Sequence, residues 1–317
     1  MDNLTHSLVG ALIGQMGFKR KTGLAMPTLI IAANIPDIDA VATLLGGQQH
    51  LAMRRGITHG PIAMVVLPLL LWGIMLWFDH WQTRRGTRPE KRLQVHKGWL
   101  LALAYIGCLS HPLFDWFNSY GIRLLEPFSS QWFYGDTLFI IDPWLWAALI
   151  GGIWFSRRYE RMGSLKFYRP AVAAALLIGT YIAANNVVST WAEHATRQAV
   201  KRDLKLEPNL VVANPVPIVF WKREMLWRDD IHFGQGIYLA PDRVTLTGKV
   251  GVQNASPGLA VRNNKDAKAF LFWARMPIVS QRGEGANREI AISDQRFVDP
   301  LVGDRFTVRM KPEDFAQ

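Results

Sequence analysis

Between residues 4 and 188 the chain repeats one arrangement, a long apolar run followed by a short polar or basic connection. A bilayer constrains such a chain more tightly than water does. In hydrocarbon every backbone N–H and C=O must be satisfied within the segment, which makes helices the form that spans. The runs are Leu4–Phe18, Leu24–Leu45, Ile62–Phe78, Trp99–Phe117, Leu138–Phe155 and Pro170–Val188. The first has about 15 residues, roughly 22 Å as a helix, and is short for a span. Within it, Gly10 and Gly14 form a small-xxx-small pattern that lets a second helix approach closely.

Composition agrees. Half the residues are hydrophobic and 19% are charged, less than the usual quarter. The net charge of +11 is not spread evenly. Lys and Arg number 3, 6 and 5 in residues 18–23, 79–98 and 156–169, against 2 and 1 in residues 46–60 and 116–137. The positive-inside rule places the first set in the cytoplasm, and the N-terminus, the other two loops and everything after about residue 190 outside. Nucleic acid is not a predicted partner, because no RNP, zinc-finger or helix-turn-helix pattern accompanies the charge. The partner the charge pattern predicts is the lipid bilayer. The single cysteine, Cys108, rules out an intrachain disulfide and a Cys-based metal site. No cleavable leader is predicted, since Lys19, Arg20 and Lys21 follow the first apolar stretch instead of preceding it.

From about Leu206 the pattern changes. Val211–Val212, Val216–Trp221, Val244–Val252, Ala269–Trp273, Glu289–Ile292 and Phe306–Met310 read as strands between Gly and Pro turns. The expected class is therefore α+β. A polytopic helical membrane domain (residues 1–190, about five spanning helices plus one short N-terminal helix) precedes a small antiparallel β domain (residues 206–317), which this topology makes periplasmic.

The apolar runs carry ionisable residues that are expensive at membrane depth and need a partner or a job. His111 and Asp115 lie four apart, on one face of a helix. His6, Asp37, Asp39, His59 and Asp142 fall at the same outer level in this topology. His and Asp without Cys suit Zn²⁺, Mn²⁺ or Fe²⁺. The predicted ligands are His59, His111, Asp115 and one of Asp37 or Asp39, with His6 available for a second ion that Asp115 would bridge. Whichever of Asp37 and Asp39 does not bind metal is the candidate to orient or deprotonate water. Arg54 and Arg55, beside His59, are candidates to clamp a phosphate. Each residue also has a structural alternative: Asp37 and Asp39 as caps of a broken helix, His6 as a packing residue, Asp142 as the N-cap before Pro143, and the two arginines as interface anchors.

Met1-Asp2-Asn3-Leu4-Thr5-His6-Ser7-Leu8, Ile35-Pro36-Asp37-Ile38-Asp39, Arg55-Gly56-Ile57-Thr58-His59-Gly60 and His111-Pro112-Leu113-Phe114-Asp115 together resemble the YdjM family, bacterial inner-membrane proteins described as metal-dependent hydrolases. The resemblance extends to Ile141-Asp142-Pro143, to Phe272-Trp273-Ala274-Arg275-Met276-Pro277 and to Asp294-Gln295-Arg296-Phe297. That family is distantly similar to the zinc-dependent phospholipase C and single-strand nuclease superfamily. The similarity implies that His111 and Asp115 form the helix pair, His59 the upstream His, Asp39 or Asp37 the upstream Asp and His6 the early His. The superfamily's third metal site has no counterpart here, so one or two ions are expected. The resemblance thus implies a hydrolase, and by the distant similarity a phosphoesterase; a site at this depth favours a lipid-borne substrate. The other reading is a non-catalytic scaffold with a structural metal or a buried polar cluster.

Overall fold

The computed structural model of the 317-residue chain describes residues 1–253, 264–282, 289–298 and 303–310. Its helices are α1 (Asn3–Gln15), α2 (Ala25–Ala32), α3 (Gln49–Met53), α4 (Pro61–Arg84), α5 (Lys97–Trp116), α6 (Pro143–Arg161), α7 (Arg169–Ala199) and α8 (Lys265–Trp273). Its strands are β1 (Leu210–Pro215), β2 (Lys222–Arg228), β3 (His232–Leu239), β4 (Arg243–Val252), β5 (Pro277–Arg282), β6 (Glu289–Asp294) and β7 (Thr307–Met310). The chain divides into two units: Met1–Ile38, Arg55–Asn186 and Pro217–Val219 form one, and Asp39–Arg54, Val187–Val216 and Phe220–Gln317 the other. Within the expected β domain, residues 254–263, 283–288, 299–302 and 311–317 lie outside the described residues.

The first unit is helical, and α2 is its hub. Asp2 starts α1 by accepting the Thr5 N–H at 3.0 Å and the Thr5 hydroxyl at 2.6 Å. A Cβ on Gly10 of α1 would lie 2.7 Å from the Leu29 carbonyl oxygen, and one on Gly107 of α5 would lie 2.9 Å from the same oxygen. Glycine lets α1 and α5 both ride against the backbone of α2. The buried stripe of α5 is Leu100, Leu103, Ala104, Gly107, Cys108, His111, Pro112 and Asp115. This three–four spacing keeps packing residues and ionisable residues on one face.

Helix α4 buries Met64, Pro68, Leu71 and Met75, yet its other sides show Ile62, Val65, Val66, Leu69, Leu70, Ile74 and Trp77. Apolar residues all round mark a helix whose outer side meets lipid. Of the five spans that the hydropathy pattern predicts, two or three have the length and composition to cross a membrane. By length and composition α4 and the continuous segment Arg169–Leu204 can cross a membrane, and a third span exists if α2 and the following Ile35–Leu45 turn, bent by 41°, count as one. Helices α5 and α6 have 20 and 19 residues, but charged residues inside their bounds shorten the apolar stretch: Lys97 and Asp115 in α5, and Arg157, Arg158, Glu160 and Arg161 in α6. Helix α6 begins at Pro143 and not at Leu138. Asp142 caps it by accepting the Trp144 and Leu145 N–H groups at 3.0 and 2.9 Å, and takes the Tyr181 hydroxyl at 2.9 Å.

The second unit holds two antiparallel sheets, ordered β1-β2-β3-β4 and β5-β6-β7. Period-two alternation gives β1 and β2 two buried faces. Val211, Ala213, Met225 and Trp227 pack with Tyr238 against Ala192 and Val200, whereas Val212 and Leu226 meet Met276. Two expected strands are something else. Ala269–Trp273 belongs to α8, because Asn264 caps the Asp266 and Ala267 N–H groups at 3.0 Å and Ala267, Phe270 and Trp273 are buried at helical spacing. Val216–Trp221 is a connection, with Ile218 at φ +69°. The unit also claims Asp39–Arg54: α3 packs on α8, and Asp266 accepts the Gln48 N–H at 3.1 Å.

Asp294 and Arg296 form a wholly buried ion pair in this unit, at 2.8 Å. Burial raises the Asp294 pKa, but the Arg296 guanidinium and the N–H groups of Arg296 and Met276 outweigh it and hold the carboxyl below its ordinary value. A depressed carboxyl adds stability that is complete above the unfolded value, about 3.9, and is lost as pH falls through the folded value. Asp294→Asn is expected to cost about 3–5 kcal/mol at neutral pH, because it strands a buried guanidinium. Tryptophan-fluorescence unfolding of the full chain in detergent, at pH 7 and at descending pH, reads both effects. An acid limb equally steep in the variant would count against this account.

Candidate metal centre

The end of α2 prepares the site. Asn34 closes the helix by donating its side-chain amide to the Ile30 carbonyl at 2.8 Å and to Ser7 Oγ at 3.0 Å. Pro36 has no N–H and disfavours helix at Ile35. The chain tightens into a 3₁₀ turn in which the Asp37 N–H goes to the Asn34 carbonyl at 3.1 Å. Helical continuation would have sent that N–H to Ala33. The Ala33 carbonyl instead accepts from His111 Nδ1 at 2.7 Å. A carbonyl only accepts, so neutral His111 carries its proton on Nδ1 and presents an Nε2 lone pair.

His59 ends the short turn Ile57–His59, with its N–H on the Gly56 carbonyl at 2.8 Å and Nδ1 at 2.9 Å from Thr58 Oγ1. Its Nε2 faces His111 Nε2 at 3.1 Å. Asp115, one turn after His111, places Oδ2 3.5 Å from both of these nitrogens. Asp37 Oδ1 lies 3.7 Å from His111 Nε2. The four residues are buried, and their ligand atoms lie within 4.8 Å of one another. Two imidazole nitrogens face each other beside two carboxylates, so either one neutral ring donates its N–H to the other or a cation lies between them. The donor chemistry, two nitrogens and two carboxylates, fits a divalent ion.

His6 and Arg55 complete the surroundings. The His6 ring stacks on His111, centroids 3.8 Å apart and 20° between planes. Its Nε2 lies 3.3 Å from Asp115 Oδ1 without hydrogen-bond geometry, and the Met1 amine also contacts that oxygen. Arg55 donates from Nη2 to Asp115 Oδ1 at 3.0 Å, and its Nε lies 3.0 Å from Oδ2 without hydrogen-bond geometry. Its guanidinium lies over the Tyr120 ring at 4.7 Å and reaches the Gly121 carbonyl at 3.4 Å.

Of the residues singled out from sequence, Asp37, His59, His111, Asp115, His6 and Arg55 thus meet in the first unit. Asp39 and Arg54 are in the second unit, Arg54 Nε 3.8 Å from Asp39 Oδ1. Sequence reasoning passed over the Ala33 carbonyl and the Tyr120–Gly121 contacts. The break at Asn34-Ile35-Pro36 was a signal for the first. The second had none, because only the tertiary path of the loop, with Asn118 bridged to Leu138 and Ile122 to Phe133, brings Tyr120 over Arg55.

Over 192 residues the chain is 24% identical to the uncharacterized protein YfhP of Bacillus subtilis (strain 168), a match that covers 57% of this chain and 53% of the relative. The chain thus spans about half the length of the curated relative it matches. No solved structure matches the chain. The family model of the YdjM inner membrane protein matches residues 1–192, a stretch that contains His6, Asp37, Arg55, His59, His111 and Asp115, and the chain belongs to that family.

Proposed function

We propose that this membrane protein is a metal-dependent hydrolase acting on a phosphoester carried by a lipid, at the outer face of the inner membrane, with its second unit in the periplasm. The observation that carries the reading is the buried group Asp37, His59, His111 and Asp115, with ligand atoms within 4.8 Å of one another. A divalent ion, zinc first and manganese or iron as alternatives, would supply Lewis-acid activation of water and of the ester. The Ala33 carbonyl aims His111, and the guanidinium of Arg55 holds Asp115 in one orientation. The lipid-borne substrate rests on the location of the donors within a membrane protein alone, and "phospho" rests on the distant superfamily resemblance alone.

A second reading has an observation of its own. His111 and Asp115 are fully buried, as suits a closed structural staple in a scaffold protein. Chelation separates the two. The protein in detergent is stripped, reloaded with Zn²⁺ or Mn²⁺ and assayed on soluble and lipid phosphoesters, beside thermal melts. The hydrolase reading expects hydrolysis to vanish on stripping and return on reloading. A large drop in melting temperature with no hydrolysis in any metal state would favour the staple.

A further inference from the structure

Asp115 is approached from two sides. Oδ2 faces the Nε2 atoms of His59 and His111, each at 3.5 Å. Oδ1 faces His6 Nε2 at 3.3 Å, a nitrogen 1% exposed as a residue and without a hydrogen-bond partner. A carboxylate with one oxygen toward each of two nitrogen sets has the form of a bridge between two cation positions. In this chain a side-chain cation already lies against both oxygens. Arg55 is 4% exposed, hydrogen-bonds Oδ1 through Nη2 and keeps Nε 3.0 Å from Oδ2. The contact is built at a cost, since Arg55 holds φ +53°, a left-handed conformation that non-glycine residues rarely adopt.

Asp115 already faces the Arg55 guanidinium and the Met1 amine. A second divalent ion on the same carboxylate would lie beside the guanidinium and be repelled by it.

We propose that Arg55 stands in for a second divalent cation. It neutralises Asp115 on the His6 side, limits the cluster to one ion, and leaves His6 as a stacking support for His111 and not a ligand. Arg55 is then a positioning residue and not a phosphate clamp. This rests on the metal-dependent reading above.

The test is metal stoichiometry. Full-length protein in detergent is stripped, equilibrated with Mn²⁺ and measured by mass spectrometry, with electron paramagnetic resonance to detect coupled Mn²⁺ pairs. Wild type is expected to hold one equivalent. Arg55→Met is expected to hold two, with a coupled-pair signal, and to return to one when His6→Ala is added. His6→Ala alone is expected to keep its single equivalent, which tests the proposal even if Arg55→Met does not fold. Two equivalents in wild type, one in Arg55→Met, or loss of the ion in His6→Ala would each overturn it. No metal in any of the proteins would instead bring down the metal-dependent reading, and the role of Arg55 with it.

Discussion

His111→Ala is expected to purify without metal under conditions in which the wild type retains about one equivalent. His111 Nε2 lies 3.1 Å from His59 Nε2, 3.5 Å from Asp115 Oδ2 and 3.7 Å from Asp37 Oδ1, so the substitution removes the central donor. It also strands the Ala33 carbonyl and takes away the surface on which His6 stacks. Loss of an outer-shell partner alone typically costs 10–100-fold in metal affinity, and loss of a direct donor is expected to exceed about 100-fold. Mass spectrometry on detergent-purified protein, prepared without chelator and again after metal add-back, makes the measurement. A wild type that holds no metal in either preparation sinks the hydrolase reading, and the cluster becomes a buried polar network.

Gly107→Val is expected to damage the fold and the donor cluster together. The new Cβ would meet Ala32 Cβ at 2.7 Å and the Leu29 carbonyl oxygen at 2.9 Å. Backbone cannot swing aside as a flexible side chain can, so α5 would have to move away from α2. Overpacking a core costs about 1–3 kcal/mol, and here the upper end is expected. Function suffers through the same displacement. His111 is on the next turn of α5, its Nδ1 is 2.7 Å from the carbonyl of Ala33 at the end of α2, and an outward shift of even 1 Å breaks that bond. The variant should therefore melt early in detergent and bind metal weakly. Gly73→Val on α4 is the control, since a Cβ there meets nothing within 4 Å. Equal melting temperatures for the two variants would rule out the helix-contact account.

Much of the site was legible because its chemistry is local. The His111/Asp115 pair shares a face by helical spacing alone, and ionisable groups in apolar runs draw notice wherever they fall. Asn34 and Pro36 also marked where α2 would break. Fold details were legible where periodicity was clean, as in Val244–Val252, which became β4. They were not where an apolar run was short: Ala269–Trp273 could pass for a strand until the Asn264 cap made it a helix. The number of membrane spans was less legible for a related reason. An apolar run says that a segment is buried, and burial against other helices and burial in lipid look alike in one dimension.

The sequence by itself determined the inventory: apolar helices, a β-rich second part, and His and Asp donors with no competing thiolate. Only the tertiary structure decided which donors meet. Asp37 and Asp39 are two residues apart and chemically identical, so nothing local ranks them. The 3₁₀ turn after Pro36 sets Asp37 beside His111, and Asp39 belongs to the unit that holds Arg54. Arg54 and Arg55 are adjacent and equally charged, yet one pairs with Asp39 and the other is buried on Asp115. The physical reason is the same in both cases. Charge and donor type are properties of a residue, but the 3–4 Å distances on which coordination and ion pairing depend arise from helices packed against one another, and those contacts join residues tens of positions apart.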